Sequence, residues 1–167
     1  MMGTDIRGRP HRLPLASYRG EVVVAFTLCL RERVRLFENG DVVRQFVGAL
    51  AVACAQQGCL VPIYCFMPDH VHVVTLGRAE SADAWRAIVG FKQRTGYWLA
   101  RNRPTVNWQR NFFDHLLRTK EDLAAHVRYV AENPVRKQLV AEWQEYPYTG
   151  SIGFDLDAIL QSVATAR

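Results

Sequence analysis

The residues best suited to chemistry are two histidines one position apart, His70 and His72, in the segment Met67-Pro68-Asp69-His70-Val71-His72. The apolar residues around them predict a β-strand, in which alternate side chains point to the same face of a sheet. Two imidazoles on one face form a ready pair of metal ligands, because imidazole is a frequent ligand in proteins. Histidine pairs also occur on strands without a metal, so this pair indicates a metal site only together with further residues.

A second cluster lies near the other end of the chain, in the segment Tyr129-Val130-Ala131-Glu132-Asn133-Pro134. Tyr129 and Asn133 are four residues apart, which places both side chains on one side of a helix. If this helix packs beside the strand of His70 and His72, the four side chains converge. That convergence is a prediction about tertiary structure, since spacing along the chain does not establish it.

Length and composition indicate one ordinary domain with an anionic partner. The chain has 167 residues, of which 49% are hydrophobic, enough for a substantial core. Its formal net charge of +5 favours an acidic partner such as nucleic acid. Basic residues are common on any surface, but three groups of them occur here around one candidate site. The groups are Arg7, Arg9, His11 and Arg12; Lys92, Arg94, Arg101 and Arg103; and Arg110, Arg118, Lys120, Arg128, Arg136 and Lys137.

The cysteines predict a reducing compartment. No two of them have the C-x-x-C spacing, and all lie in apolar surroundings, which is typical of buried free thiols. A structural zinc site that joins Cys65 to the two histidines is a competing interpretation, although Cys65 lacks ligand spacing. No segment approaches the roughly 18 apolar residues of a membrane span, so we expect a cytoplasmic protein with no membrane partner. The cysteines are Cys29, Cys54, Cys59 and Cys65.

The order of predicted elements is β-α-β-β-α-β-α. This order is that of an α+β, ferredoxin-like split β-α-β domain, with a four-stranded antiparallel sheet, helices on one face and an added C-terminal helix. Thr119 and Asp122 predict the start of the last helix, and Pro134 predicts its end. The predicted strands cover about 21–30, 60–66, 70–76 and 112–118, and the predicted helices about 41–57, 81–100 and 120–132.

Four segments resemble the REP-associated tyrosine transposases, which belong to the HUH superfamily of single-strand DNA transposases. In that family two histidines hold a divalent ion, a tyrosine is the nucleophile, and a polar side chain one helical turn beyond it completes the metal site. The resemblance therefore implies Tyr129 as the catalytic residue and His70, His72 and Asn133 as ligands of Mg²⁺ or Mn²⁺. Gln138 departs from the family, which commonly has glycine there. The segments are Met67–Val74, Trp108–Arg118, Tyr129–Val140 and Tyr146–Ser151.

The resemblance implies a metal-dependent single-strand DNA endonuclease and strand transferase that forms a 5′-phosphotyrosine on hairpin or repetitive DNA. A metal acting as a Lewis acid offsets the charge that grows on the phosphoryl oxygens. A phenol needs a nearby cation or base to become a good nucleophile at neutral pH, and Arg128 and the metal are the candidates. A phosphate in a regular duplex is out of reach of a buried tyrosine, so we expect single-stranded or hairpin DNA as the partner.

Aromatic and basic side chains are the usual means of binding single strands. Trp108 serves this role or packs in the core, and both interpretations stay open. We interpret His115 and His126 as structural and Asp69 as a turn residue. The predicted DNA-binding residues are Lys92, Arg94, Trp108, Arg110, Arg118, Arg128, Arg136 and Lys137.

We divide the chain into a basic N-terminal arm over 1–20, a catalytic domain over 21–140 and a C-terminal tail over 141–167. We expect the aromatic-rich tail to pack back on the domain and either to cover the site or to extend the DNA surface. The protein is expected to be a monomer or a homodimer. A hairpin-DNA-binding protein that has lost transposition is the alternative function, and an RNA-binding ferredoxin-like domain would require aromatic residues on its central strands.

Overall fold

The computed structural model describes residues 13–165, so the predicted basic residues Arg7, Arg9, His11 and Arg12 lie outside the described part of the chain. The elements follow the predicted order, with two helices and one strand added after the last predicted helix. The strands are Val23–Cys29 (β1), Cys59–Met67 (β2), His70–Gly77 (β3), Phe113–Leu117 (β4) and Thr149–Ile152 (β5). The helices are Gly40–Gln56 (α1), Ala84–Asn102 (α2), Lys120–Ala131 (α3), Asn133–Arg136 (α4) and Leu156–Thr165 (α5).

The strands form one antiparallel sheet in the order β4-β1-β3-β2-β5. The predicted α+β class and the four predicted strands are confirmed, but the sheet has five strands rather than four. The fifth strand comes from the tail and pairs with β2. Without it β2 would be an edge strand with unpaired backbone groups, which sheets tend to cover. Tyr146 anchors the tail here by donating a hydrogen bond from its hydroxyl to the Phe66 carbonyl at 2.6 Å.

The two faces of the sheet are covered by different helices. Side chains such as Phe26 and Val73 point to a core shared with α1 and α2. On the other face, Ile63 and Val74 pack against α3 and α5. The first two helices therefore lie on one face as predicted, and the added helix α3 lies on the opposite face. Because side chains alternate along β3, His70 and His72 point to the α3 side.

Helix α3 has the predicted start and end. Thr119 and Asp122 form a reciprocal capping box, in which each side chain accepts a hydrogen bond from the other residue's backbone N–H. The helix breaks at Glu132, and Pro134 lies in the first turn of the short helix α4. Gln138 follows with φ of 57°, a left-handed conformation that favours glycine. This conformation gives a physical reason for the glycine that the resembling family commonly has at this position.

The four cysteines are buried and free, as predicted. Burial raises the pKa of the Cys54 and Cys65 thiols to about 12. No helix within residues 13–165 has the length and the apolar run that crossing a membrane requires.

Gly77, at the end of β3, is expected to tolerate no side chain. A Cβ atom there would overlap the carbonyl oxygen of Gly20, which belongs to the backbone and has little freedom to move. We expect Gly77→Ala to lower the free energy of unfolding by about 1–3 kcal/mol, as overpacking usually does. Urea denaturation measures this change.

The matched control is Gly48→Ala, within α1. A Cβ atom at Gly48 meets nothing within 4 Å, and alanine favours a helix over glycine by about 1 kcal/mol. This variant should therefore be more stable than the wild type. Equal stability of the two variants would contradict the close packing proposed around Gly77.

Candidate active site

His70 and His72 lie side by side on the central strand β3. Their Nε2 atoms are 3.2 Å apart, and their rings meet edge to face with centroids 4.9 Å apart. The flanking strands β1 and β2 pair with both residues, so the strand has little freedom to shift. The histidine pair predicted from spacing is therefore held on one rigid face.

The partner of His70 determines which ring nitrogen carries the proton. Its Nδ1 is 2.6 Å from a carboxylate oxygen of Asp69. An ionised carboxylate only accepts hydrogen bonds, so Nδ1 donates and the neutral ring keeps a lone pair on Nε2. Arg33 Nε lies 2.9 Å from the other Asp69 oxygen and holds the carboxylate in place. Asp69, which the sequence indicates only as a turn residue, therefore also orients His70.

His72 is buried and neutral. Burial first, and then the neighbouring His70, lower its pKa to about 3. Burial also lowers the pKa of His70, although Asp69 acts in the opposite direction. Both imidazoles are therefore uncharged at neutral pH, which is the state that binds a metal ion.

Asn133 brings a third polar group to the same point. Its amide nitrogen Nδ2 is 2.8 Å from His72 Nε2, and the residue is only 4% exposed. The opposite ring nitrogen of His72, Nδ1, is 3.1 Å from the Thr27 hydroxyl. A half-turn of the amide would present its oxygen in place of its nitrogen. The predicted convergence of His70, His72 and Asn133 is thus present in the structure.

This arrangement fits a divalent ion. Two ligands about 2.0–2.2 Å from one ion, at tetrahedral or octahedral angles, are about 3–3.5 Å apart, and the Nε2 atoms are 3.2 Å apart. Asp69 and Thr27 supply the outer hydrogen bonds that usually orient ligating histidines. Across the described residues, no three His, Cys, Asp or Glu side chains group as a metal site. The third protein ligand would therefore be the Asn133 amide.

The alternative with Cys65 as a zinc ligand finds little support. Within the described residues, Cys65 does not group with His70 and His72 into a set that could hold a metal ion. Burial raises the pKa of its thiol to about 12. The Thr149 hydroxyl of β5 lies 3.3 Å from its sulfur. Cys65 therefore acts as a packed, protonated thiol between β2 and β5.

Tyr129 stands above the histidine pair on α3. Its side chain is 50% exposed, and its ring centroid is 6.3 Å from that of His72. The guanidinium of Arg136 lies over the ring, 4.1 Å from its centroid, and donates a hydrogen bond to the Tyr129 carbonyl at 2.6 Å. Arg136 is therefore a cation in direct contact with the phenol ring. The sequence indicated Arg128, and the structure adds Arg136, which reaches back to Tyr129 because the helix breaks at Glu132.

Four of the predicted DNA-binding residues lie around this site. Arg118 borders the same cleft as Tyr129, and Lys137 borders a second cleft beside His70. Arg136 contacts Tyr129 itself. Arg128 lies on α3, one residue before Tyr129.

The other predicted DNA-binding residues lie on the α1 and α2 side of the sheet. Trp108 is packed among core aromatic rings, and its indole nitrogen donates to the Thr95 hydroxyl at 2.8 Å. Lys92 Nζ donates to the Gln109 carbonyl at 2.7 Å, and Arg94 donates to the Gln56 side chain at 2.9 Å. Arg110 borders a cleft with Lys92 and Trp108. Their predicted contacts with DNA would therefore belong to a surface away from Tyr129.

Sequence reasoning missed two groups of residues near the site. Arg33 and Arg35 border the cleft of about 240 Å³ that also contains His70 and Lys137. His115 and His126 form a ring pair next to Tyr129. Neither group has a recognisable spacing along the chain, because each joins residues from two separate elements.

Comparisons of the sequence with known proteins find similarity to transposases. A family model described as "Transposase IS200 like" matches residues 20–133. The chain is 26% identical over 141 residues to a Haemophilus influenzae protein assigned as a REP-associated tyrosine transposase, covering 74% of this chain and 76% of that protein. It is 31% identical over 86 residues to the REP-associated tyrosine transposase of Escherichia coli, covering 50% of this chain and 48% of that protein.

A solved structure is similar in fold. It is a REP-associated tyrosine transposase bound to a REP hairpin, and it superposes with a TM-score of 0.69 at 21% sequence identity. The match covers 83% of this chain and 80% of that one. This likeness supports the predicted α+β architecture.

The burial of His126 should make the protein less stable in acid. Burial first, and then His115, lower the pKa of His126 to about 4, whereas an unfolded histidine has a pKa of about 6.5. The unfolded chain therefore takes up this proton first, and stability falls as the pH falls from about 6.5 to about 4. We expect His126→Phe to lose less stability than the wild type between about pH 7 and pH 4.5.

Urea denaturation of both proteins at the two pH values measures this difference. All other titrating groups are shared, so their effects cancel in the comparison. An equal loss of stability in both proteins would contradict the lowered pKa of His126.

Proposed function

The chain belongs to the IS200-like transposases, as its resemblance to the REP-associated tyrosine transposases predicts, and on that premise we propose that Tyr129 cuts and joins single-stranded DNA at a metal-dependent site. The observation that carries the proposal is the convergence of His70, His72 and Asn133 beneath the half-exposed Tyr129. These three polar side chains provide ligands for one ion, and the phenol stands directly above them.

The proposed ligands are His70, His72 and Asn133, and the proposed ion is Mg²⁺ or Mn²⁺. When bound, such an ion would polarise the scissile phosphate as a Lewis acid and offset the charge growing on its oxygens. Asp69 and Thr27 hold the two imidazoles by their Nδ1 atoms, which keeps both Nε2 atoms aimed at one point. An amide oxygen and two imidazoles suit manganese well, and phosphate oxygens suit magnesium or manganese.

Tyr129 is the proposed nucleophile. Its oxygen attacks the phosphorus, the bond from phosphorus to the 3′ oxygen breaks, and the 5′ phosphate becomes linked to Tyr129. The phenolic proton is lost, and the departing 3′ oxygen gains a proton. Arg136 lies 4.1 Å from the ring centroid and favours the negative charge that develops on the phenol. Attack by the 3′ hydroxyl of a second strand reverses these steps, so joining requires no ATP.

The proposed substrate is single-stranded or hairpin DNA. The cleft beside Tyr129 opens between β4 and α3, and the cleft beside His70 is bordered by Arg33, Arg35 and Lys137. Cations on one side of the histidine pair suit the phosphates of a strand that crosses the site. The structural relative described above is bound to a REP hairpin, and we propose the same class of ligand for this chain.

The covalent intermediate gives the most direct test. Wild-type protein mixed with labelled hairpin oligonucleotides from the flanks of its own gene should form an adduct that survives SDS in the presence of manganese. EDTA should remove the adduct, and Tyr129→Phe should abolish it, because phenylalanine has no oxygen to attack the phosphorus. An SDS gel measures the adduct.

The matched control is Tyr97→Phe, which changes a tyrosine on α2 that is 66% exposed and far from the histidines in the fold. It should form as much adduct as the wild type. Hairpin binding without any adduct would overturn the proposed cleavage and favour a binding protein that has lost transposition.

Asp69 offers a test of the metal site without DNA. Asp69→Ala removes the acceptor that orients His70, and the loss of such an outer partner typically weakens metal affinity by about 10–100-fold. Isothermal titration with Mn²⁺ measures the affinity. Asp41→Ala is the control, since Asp41 pairs with Arg44 on the exposed surface of α1. Equal affinity of Asp69→Ala and the wild type would count against the proposed role of His70 as a ligand.

A further inference from the structure

A cleft of about 430 Å³ lies between β4 and α3, directly beside Tyr129. Its volume is within the range of small-ligand sites, which is about 300–1,000 Å³. The proposed cleavage steps use Tyr129 at the edge of this cleft but give no role to its other side chains. The side chains that bear on its chemistry are His115, Leu117, Arg118, Asp122, His126 and Tyr129.

Three aromatic rings run along the cleft from β4 to the nucleophile. The rings of His115 and His126 meet edge to face with centroids 5.0 Å apart. The ring of His126 is 5.8 Å from that of Tyr129, and the two planes are inclined by only 35°. The two rings are therefore tilted toward each other, and together with His115 they give the cleft an aromatic wall.

The cleft combines a neutral aromatic surface with a cation at its rim. His126 carries no charge at neutral pH, because burial and His115 hold its pKa at about 4. Arg118 is exposed at the rim, and its guanidinium makes no ion pair within residues 13–165. The one carboxylate of the cleft, Asp122, already accepts hydrogen bonds from the backbone N–H groups of Arg118 and Thr119.

We propose that this cleft holds the base of a nucleotide adjacent to the phosphate that Tyr129 attacks, with the base stacked on His126 and Arg118 contacting a neighbouring phosphate. This inference rests on the proposed function. A nucleotide's phosphate and base are separated by one sugar, so a phosphate at the phenol places its base close to the cleft. Flat uncharged rings with a basic rim are the features that bind single strands through stacking.

Stacking predicts a result that other roles of His126 do not. In a Tyr129→Phe background, which leaves the DNA uncut, His126→Leu should weaken binding of the hairpin with its single-stranded flank by about tenfold. His126→Phe should bind as tightly as the parent, because phenylalanine keeps a flat ring but cannot exchange a proton. Fluorescence anisotropy with a labelled oligonucleotide measures the affinity.

Abasic oligonucleotides then identify the base. Removing the base at each position within three nucleotides of the cleavage point should reveal one position where affinity falls about tenfold with the His126 protein. At that position the affinity losses caused by the missing base and by His126→Leu should not be additive, because both changes remove the same contact. Gln45→Leu, on the exposed side of α1, is the control and should leave every affinity unchanged.

The outcomes separate this inference from the proposed function. Suppose that wild-type protein forms the Tyr129 adduct but the affinity losses from abasic DNA and from His126→Leu are additive. The proposed stacking of a base on His126 is then overturned, and the proposed function stands. If no single-stranded or hairpin DNA binds or forms an adduct, both fail. His115→Ala changes an exposed ring and provides a second variant should His126→Leu not fold. It should also lower affinity for intact DNA more than for the abasic oligonucleotide.

Discussion

Val71 and Val73 are buried against the α1 and α2 core, and their burial determines how β3 is aligned in the sheet. A shift of one residue would turn these valines outward and force His70 and His72 into the apolar core. Such a shift would bury two polar rings without hydrogen-bond partners, which would strongly destabilise the folded state. The two imidazoles are therefore held together on the α3 side by the packing of their neighbours.

The same face of the sheet determines where Tyr129 stands. Val127 and Val130 are buried against Ile63 and Val74, so α3 is held with one side toward the sheet. Asn133 follows the break at Glu132 and points into the buried space beside His72. The break also returns Arg136 to the ring of Tyr129. One interruption of the helix thus places the Asn133 amide beside His72 and the Arg136 guanidinium against the ring of Tyr129.

The centre of the site is buried and neutral, whereas its rim carries positive charge. Burial keeps His72 and His126 neutral at neutral pH. Cations remain on the rim, where Arg33, Lys137 and Arg118 border the two clefts. A neutral centre can bind an ion without electrostatic repulsion, and a basic rim attracts the phosphates of a strand. This separation is what the proposed reaction on DNA requires.

The sequence by itself determined the features that depend on neighbouring residues. Strand alternation placed His70 and His72 on one face, and the capping box and Pro134 bounded α3. Helical spacing predicted Tyr129 and Asn133 on one helix, whereas α3 ends at Ala131 and Asn133 begins α4. The order of elements was enough to predict a ferredoxin-like sheet, because few topologies accommodate that order. The family resemblance then assigned roles to these residues.

Only the tertiary structure decided which distant residues meet. The strand β5 has only four residues, too few for an alternation of apolar and polar side chains to predict it. It pairs with the edge of β2 that would otherwise be open. Arg136 lies against the ring of Tyr129 because a helix break changes which residues share a face. His115 and His126 come from different elements, and Trp108 turned inward to the core. Such contacts depend on how helices pack on the sheet, and spacing along the chain carries no information about that packing.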